Sequence, residues 1–343
     1  MRIEDRINRW RQLYNSNPKK TIVRYIINYP GPADDVPILS AANRQARVDW
    51  AKRLYEWQIH NFNSYEDDSL PYLFALSGTE IFAECFGCKI VYPNNSRPFA
   101  LPFIFDSAGA GRLKTPNLED TPLILLFEMV DELKRFAGDT ALVKLSDIQC
   151  PIDVTALIWD KNELFLAMVD EPEAILELAE KVRELQICFL DEWFKRYGVN
   201  YIAHCPDYYI EEGITMSVDE IGSVSPEMFR QFFRDEINIL SRRYGGVGIH
   251  SCANSIKQWE NLRQIENLKV LNLHREWEQL REAFVFFRDT CAQMHSRADG
   301  QNIMPGGPNS SLLPDKSRVV LTVQARDYDH ARKLATQYAA EYM

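Results

Sequence analysis

A (β/α)8 TIM barrel is the fold the sequence predicts, with a helical extension before it and loop excursions at its mouth. Three observations predict it. Short apolar, β-branched runs alternate with longer helical patterns about eight times along the chain. No Gly-rich phosphate loop follows the first run, which argues against a doubly wound nucleotide-binding sheet. A chain of 343 residues is also long enough to bury one large core without disulfides or a structural metal, so 1–343 reads as a single barrel domain.

The elements follow in order. MRIEDRINRWRQLY has amphipathic spacing and forms an N-terminal helix within 1–20. TIVRYIINY (21–29) is a strand leading into the loop PGPADDVP (30–37), and QARVDWAKRLYEWQIHNF (45–62) is a helix. LPYLFAL (70–76) is a strand, TEIFAECFG (79–87) a short helix closed by glycine, and 89–102 an excursion turning at Pro93-Asn94-Asn95. The helix 121–138 is opened by Thr121 and Pro122 and closed by Gly138, and it leads to the strand ALVKLSD (141–147). A long helix over 170–198 has Asp170 as its cap, and its apolar stripe places Cys188 in the core. YIAHC (201–205) and ITMSV (214–218) are two strands or one interrupted barrel strand, and Ser225-Pro226 opens the next helix. GVGIHSC, LKVLNL and RVVLTVQA are buried-type strands, CAQMHSR (291–297) is a strand or a helix end, and 300–317 is a Gly/Pro/Ser-rich loop over the mouth. Asp327 or Asp329 caps the last helix.

Composition narrows the function. Lys plus Arg number 39 against 49 Asp plus Glu, a net charge of −10, so a nucleic-acid partner lacks its basic face. No apolar run reaches the roughly 18 residues that span a bilayer, and the start lacks the apolar core of a signal peptide, so a cytoplasmic location is expected. Seven scattered cysteines read as free thiols, mostly in the core.

In such a barrel, chemistry sits where the strands end. The polar residues at the ends of the apolar runs are Asp147 and Gln149, Asp219, His250 and Cys252, His274 and Arg275, and Gln324. His250 and Cys252 share one face of a strand, because side chains alternate with period two. An imidazole and a thiolate are both zinc ligands, and a catalytic zinc takes three protein ligands and leaves a position open. The plain alternative is a hydrogen-bonded histidine beside an ordinary thiol. Asp219 ends ITMSVD, where it binds a substrate cation, serves as a general acid or base, or accepts hydrogen bonds from the following loop. Cys85-x-x-Cys88 has no second pair at zinc-ribbon spacing and reads as coincidence, while His204, Cys205 and Asp207 form a second polar cluster.

Four stretches, in order, resemble the uroporphyrinogen decarboxylase superfamily, which also holds cobalamin-dependent methyltransferases acting on methylcorrinoid proteins. They are AECFGCKIVY (83–92), DIQCPIDVTALIWD (147–160), DEIGSVSPEMFRQFF (219–233) and GVGIHSCAN (246–254). The resemblance implies a barrel with a deep mouth, and in the methyltransferase branch an H-x-C plus a distant cysteine that hold zinc and activate a thiol. His250 and Cys252 match the first two positions. Gln324 stands where the third sulfur belongs, and Cys291 is the other candidate. The decarboxylase branch matches less well: its arginine pair reduces to Arg24, its aspartate falls on Gly78, and its tyrosine falls near Leu157. The resemblance therefore favours methyl transfer between a corrinoid protein and a small thiol or other acceptor. Asp219, His250 and Cys252 are then catalytic, and Asp147, Gln149, His274 and Arg275 bind substrate. The rivals are a lyase on a carboxylated substrate, for which Lys144, Arg275 and Arg24 are the available cations, and a binding or sensor protein that kept the barrel without catalysis.

Overall fold

The apolar runs become strands β1 (Ile22–Asn28), β2 (Tyr72–Leu73), β3 (Leu142–Val143), β4 (Asn200–Ile202), β5 (Ile214–Ser217), β6 (Val247–Ser251), β7 (Leu268–Arg275), β8 (Ala292–Gln293) and β9 (Arg318–Gln324) in a computed structural model. It describes residues 2–15, 20–29, 36–93 and 97–343. Most of the loop expected at 30–37, and the turn at Asn94-Asn95, lie outside the described residues.

Parallel pairing runs β1–β9–β8–β7–β6–β5. From β5 it continues through a bridge between Ser217 and Gln149, while Lys144 bridges to Ile202 of β4. The run that begins with β3 then pairs with β2. YIAHC and ITMSV therefore flank the same neighbouring run at different heights, as one interrupted barrel strand does, and the eight positions of the barrel are filled.

Between β1 and β2 no strand pairing closes the ring among the described residues. Two consecutive aspartates do so instead. Asp67 accepts from the Ile27 N–H at 2.9 Å, and Asp68 accepts from the Tyr25 N–H at 2.9 Å while its own N–H donates to the Tyr25 carbonyl. Both carboxylates are fully buried and each is held by an arginine of the N-terminal helix Ile3–Asn15, Arg6 on Asp67 and Arg9 on Asp68. That helix also takes up Arg24, whose guanidinium donates to the Arg9 carbonyl and to Gln12.

Several element ends differ from expectation. The helix expected from Thr121 begins at Ile124, and the Thr121 hydroxyl donates to the Leu118 carbonyl rather than capping. Residues 161–170 form a helix of their own, so Asp170 ends that element and Glu171 precedes the long helix Pro172–Tyr197. Cys188 is exposed, which corrects its assignment to the core. The buried stripe runs through Val182, Leu185, Gln186 and Phe189, and Cys188 sits about 100° off it. All seven cysteines are free, but only Cys88, Cys150 and Cys291 are buried. Asp327 is the cap of the last helix, accepting from the His330 N–H.

CAQMHSR is strand: Ala292–Gln293 and Ser296–Arg297 both pair with β7. The 300–317 segment begins at the mouth, where Asn302 pairs with Gln324, and ends at the other rim, where the Ser317 carbonyl accepts from the Ile22 N–H. It therefore serves as the connection from β8 to β9.

One glycine is required inside the barrel. A Cβ on Gly248 would lie 1.9 Å from the hydroxyl of the buried Tyr208, so that ring would have to shift. Gly248→Ala should destabilise the protein by about 1–3 kcal/mol through overpacking, read as a lowered urea midpoint with unchanged m-value. An unchanged midpoint would show that Tyr208 moves freely.

Candidate functional site

Strand register assembles the site. Ser217 of β5 is level with His250 of β6, which is level with Asn272 of β7, so the three share one height on the inner face. Two residues further on, Asp219 comes level with Cys252, and Asp219 Oδ1 accepts from the Cys252 N–H at 2.6 Å. Donor atoms of Asp219, His250 and Cys252 all lie within 4.8 Å of one another. Asp219 and His250 are half-buried and Cys252 is exposed, as suits a group reached from the mouth.

Each member is held from behind. The Asn272 amide donates to the Met294 carbonyl, which turns its Oδ1 towards His250 Nδ1 at 2.5 Å. Nδ1 therefore carries the proton, and Nε2 keeps its lone pair for a ligand. Burial alone would push the imidazole down, but hydrogen bonds to Cys252 and Asn272 and the nearby Asp219 carboxylate outweigh it and hold His250 above its ordinary pKa. The Asp219 backbone is pinned in turn by Asp153, whose Oδ1 accepts from the N–H groups of Asp219 and Glu220. Burial, and the charge of Asp219 beside it, push Asp153 well above the usual carboxylate range.

The other expected residues are distributed around this group. Asp147 Oδ1 accepts from Gln149 Nε2 at 2.6 Å and lies 3.5 Å from His204 Nε2, which also meets the Ser217 hydroxyl at 3.2 Å. Burial lowers His204 to about 4, so it is a neutral hydrogen-bonding group at neutral pH. His274 lies on the same face as Asn272, two residues nearer the mouth, with Nδ1 3.0 Å from the Ser296 hydroxyl. Strand alternation turns Arg275 to the opposite face, where its Nε is buried without a hydrogen-bond partner among the described residues. Cys291 is not brought to the group. It precedes β8, three positions below the level of Asn272 or about 10 Å along the strand, and is fully buried with its thiol pushed up to about 12. Gln324 is exposed and carries no sulfur. The third donor atom beside His250 and Cys252 is thus a carboxylate oxygen. Cys85 and Cys88 are likewise pushed up to about 12 by burial, as inert thiols are.

Residues 52–294 match the family model described as uroporphyrinogen decarboxylase (URO-D). The chain belongs to that family. Among solved structures, a methyltransferase from Methanosarcina mazei has the same fold, with a TM-score of 0.68 at 12% identity over 99% of each chain. No curated protein matches the chain. Within the URO-D barrel, Asn272 is one of two site residues that reading the sequence missed. Its signal was present as a lone amide in the apolar run LKVLNL. Asp153 was hidden inside a helix and had no such signal.

His295 is a structural histidine. It is fully buried, its Nδ1 accepts from the Leu273 N–H, and its Nε2 meets Gln293 Oε1 at 3.0 Å. Burial lowers it from 6.5 to about 3. The unfolded chain therefore binds the extra proton first. The stability from keeping His295 neutral is complete above about pH 6.5 and drains as the pH falls towards 3, by up to about 1.4 kcal/mol per pH unit. The stability gap between wild type and His295→Gln should narrow correspondingly between pH 6.5 and 4 in urea titrations. A gap independent of pH would mean the histidine is protonated in the fold.

Proposed function

We infer that this URO-D family barrel is a methyltransferase that moves a methyl group between a corrinoid carried by a partner protein and a small thiol or other acceptor, at a zinc ion held by Asp219, His250 and Cys252. The observation that carries the reading is the meeting of one nitrogen, one sulfur and one oxygen donor at the strand ends, all within 4.8 Å. Three protein ligands with one side open is the pattern of a catalytic zinc, and small side-chain rotations bring donors at that separation to zinc-ligand distances. Bound there, zinc would lower the pKa of an acceptor thiol so that it is present as thiolate.

The chain's own residues supply the rest. Asn272 accepts from Nδ1–H of His250 and so leaves Nε2 as the ligating nitrogen of the neutral ring, Asp153 holds the Asp219 backbone in place, and the exposed Cys252 leaves the open side towards solvent and a docking partner. Asp147, Gln149 and His274 then line the approach. A lyase on a carboxylated substrate is less well supported, because Arg24 is tied to the N-terminal helix and Arg275 turns away from the inner face, which leaves Lys144 alone of the three expected cations facing a cavity. The set of three donors likewise counts against a barrel that kept its shape and lost its chemistry. No helix among the described residues is long and apolar enough to cross a membrane, and seven free thiols fit the reducing cytoplasm.

The reading predicts that zinc-loaded protein, given methylcobalamin and 2-mercaptoethanol, yields cob(I)alamin by its absorbance and the methyl thioether by mass. Asp219→Ala, His250→Ala and Cys252→Ala should each lower the rate by at least about tenfold. Methylcobalamin left intact with every thiol offered, or a rate indifferent to all three substitutions, would overturn it.

A further inference from the structure

A second feature of the mouth is an apolar cavity of about 550 Å³. Its walls include Trp50 and Leu54 of the helix Arg44–Ser64, Tyr72, Phe74 and Leu76 of the second barrel run, and Tyr92. Alternation places Tyr72, Phe74 and Leu76 on one face, and the register Tyr72↔Leu142 puts Lys144 level with Phe74. Lys144 is buried, and its ammonium enters this wall over the Phe74 ring at 4.5 Å and the Tyr72 ring at 5.5 Å.

An ammonium has three N–H donors. One goes to Asp207, whose other carboxylate oxygen accepts from the Tyr72 hydroxyl, and among the described residues no second acceptor faces it. Among the described residues the charged groups that line the cavity are Lys144 and Arg97, with no carboxylate beside them. A cationic ligand would find no counter-charge among these groups, and a wholly apolar one would leave the ammonium's remaining donors without an acceptor from the ligand. Lys144 is bridged to Ile202, two residues before His204, and His204 Nε2 meets the hydroxyl of Ser217, which is level with His250.

We propose that this cavity binds an aromatic or bulky apolar carboxylate, its ring or hydrocarbon body among Trp50, Leu54, Phe74 and Tyr92 and its carboxylate on Lys144. Binding needs no metal. That the acid is the methyl donor or acceptor rests on the function proposed above.

Calorimetry on the full chain, metal-stripped and zinc-loaded, with 2-naphthoate and its neutral isostere 2-naphthamide, tests this. The acid should bind at least about tenfold more tightly than the amide, as a charge-assisted hydrogen bond requires. The double variant Lys144→Met with Asp207→Asn, which removes the ion pair as a unit, should lose that preference. Leu54→Trp, which fills the cavity and leaves Lys144 in place, should weaken both ligands. No binding of 2-naphthoate, equal binding of acid and amide, or acid binding unchanged in Leu54→Trp would each overturn the proposal, the last even if the double variant fails to fold. Acid binding without zinc uptake would sink the metal reading alone, and zinc uptake without acid binding would sink this one alone.

Discussion

Protein purified without added metal should carry one zinc per chain, and His250→Ala and Cys252→Ala should each bring it below stoichiometry while the far-UV spectrum stays unchanged. The fold is expected to survive because the site lies at the strand ends, outside the packed interior, and neither side chain is in the core. Asp219→Ala should also lose the metal, which distinguishes a nitrogen, sulfur and oxygen donor set from one completed by a second thiol. Cys291→Ala should then leave zinc content untouched. Asn272 touches no metal but fixes the His250 tautomer, so Asn272→Ala should weaken zinc by about 10-fold to 100-fold. Cobalt substitution gives an independent reading: Co(II) should show a thiolate charge-transfer band that Cys252→Ser abolishes and Asp219→Ala shifts. Zinc affinity should fall with acidification, because His250 must be neutral to bind and its neighbours hold its proton more tightly than usual. A metal-free wild type with an intact fold would remove the basis of the proposed function.

The largest stability effects should come from the pair of aspartates that close the ring. Asp67 accepts from Arg6 at 2.9 Å, from the Ile27 N–H, and from the Ser69 N–H and hydroxyl; Asp68 accepts from Arg9 and from the Tyr25 N–H. Removing either carboxylate leaves a buried N–H on β1 and an arginine without its counter-charge. Such half-broken buried pairs cost about 3–5 kcal/mol. Asp67→Ala and Asp68→Ala should each lower the urea unfolding free energy by that order, whereas Asp5→Ala, which breaks only the exposed pair with Arg2, should be silent. A loss below about 1 kcal/mol in both buried variants would show that the ring closes by other means. Arg6→Met with Asp67→Leu, which removes the pair together, should recover part of the loss.

Much of the barrel was legible because its signals are local. Strand runs, helical stripes and glycine stops can be read from a few neighbouring residues, and β1, β6, β7 and β9 lie where the apolar runs placed them. Cap assignments were less secure. Thr121 and Asp170 both have capping chemistry, yet the Thr121 hydroxyl is spent on the Leu118 carbonyl and Asp170 ends the preceding helix, so the helices start at Ile124 and Pro172. Cys188 shows the same limit at the level of a face: a 26-residue helix has room for an apolar stripe and for an exposed thiol a single residue away from it.

For the site, sequence by itself determined the half that lies within one strand. His250 and Cys252 share a face because alternation is a property of any strand, and Asp219 could be marked as a strand end for the same reason. Only the tertiary structure decided what completes them. The expected third donor was a sulfur, with Cys291 as candidate, but the register between β5 and β6 sets Asp219 beside Cys252 across 33 positions of chain, while Cys291 is left about 10 Å down its strand. Nor does any local pattern announce that Asp67 and Asp68 stand in for a missing strand pairing, or that Asn272 fixes a histidine tautomer. Register and ring closure depend on how distant strands pack together, and no stretch of sequence specifies them alone.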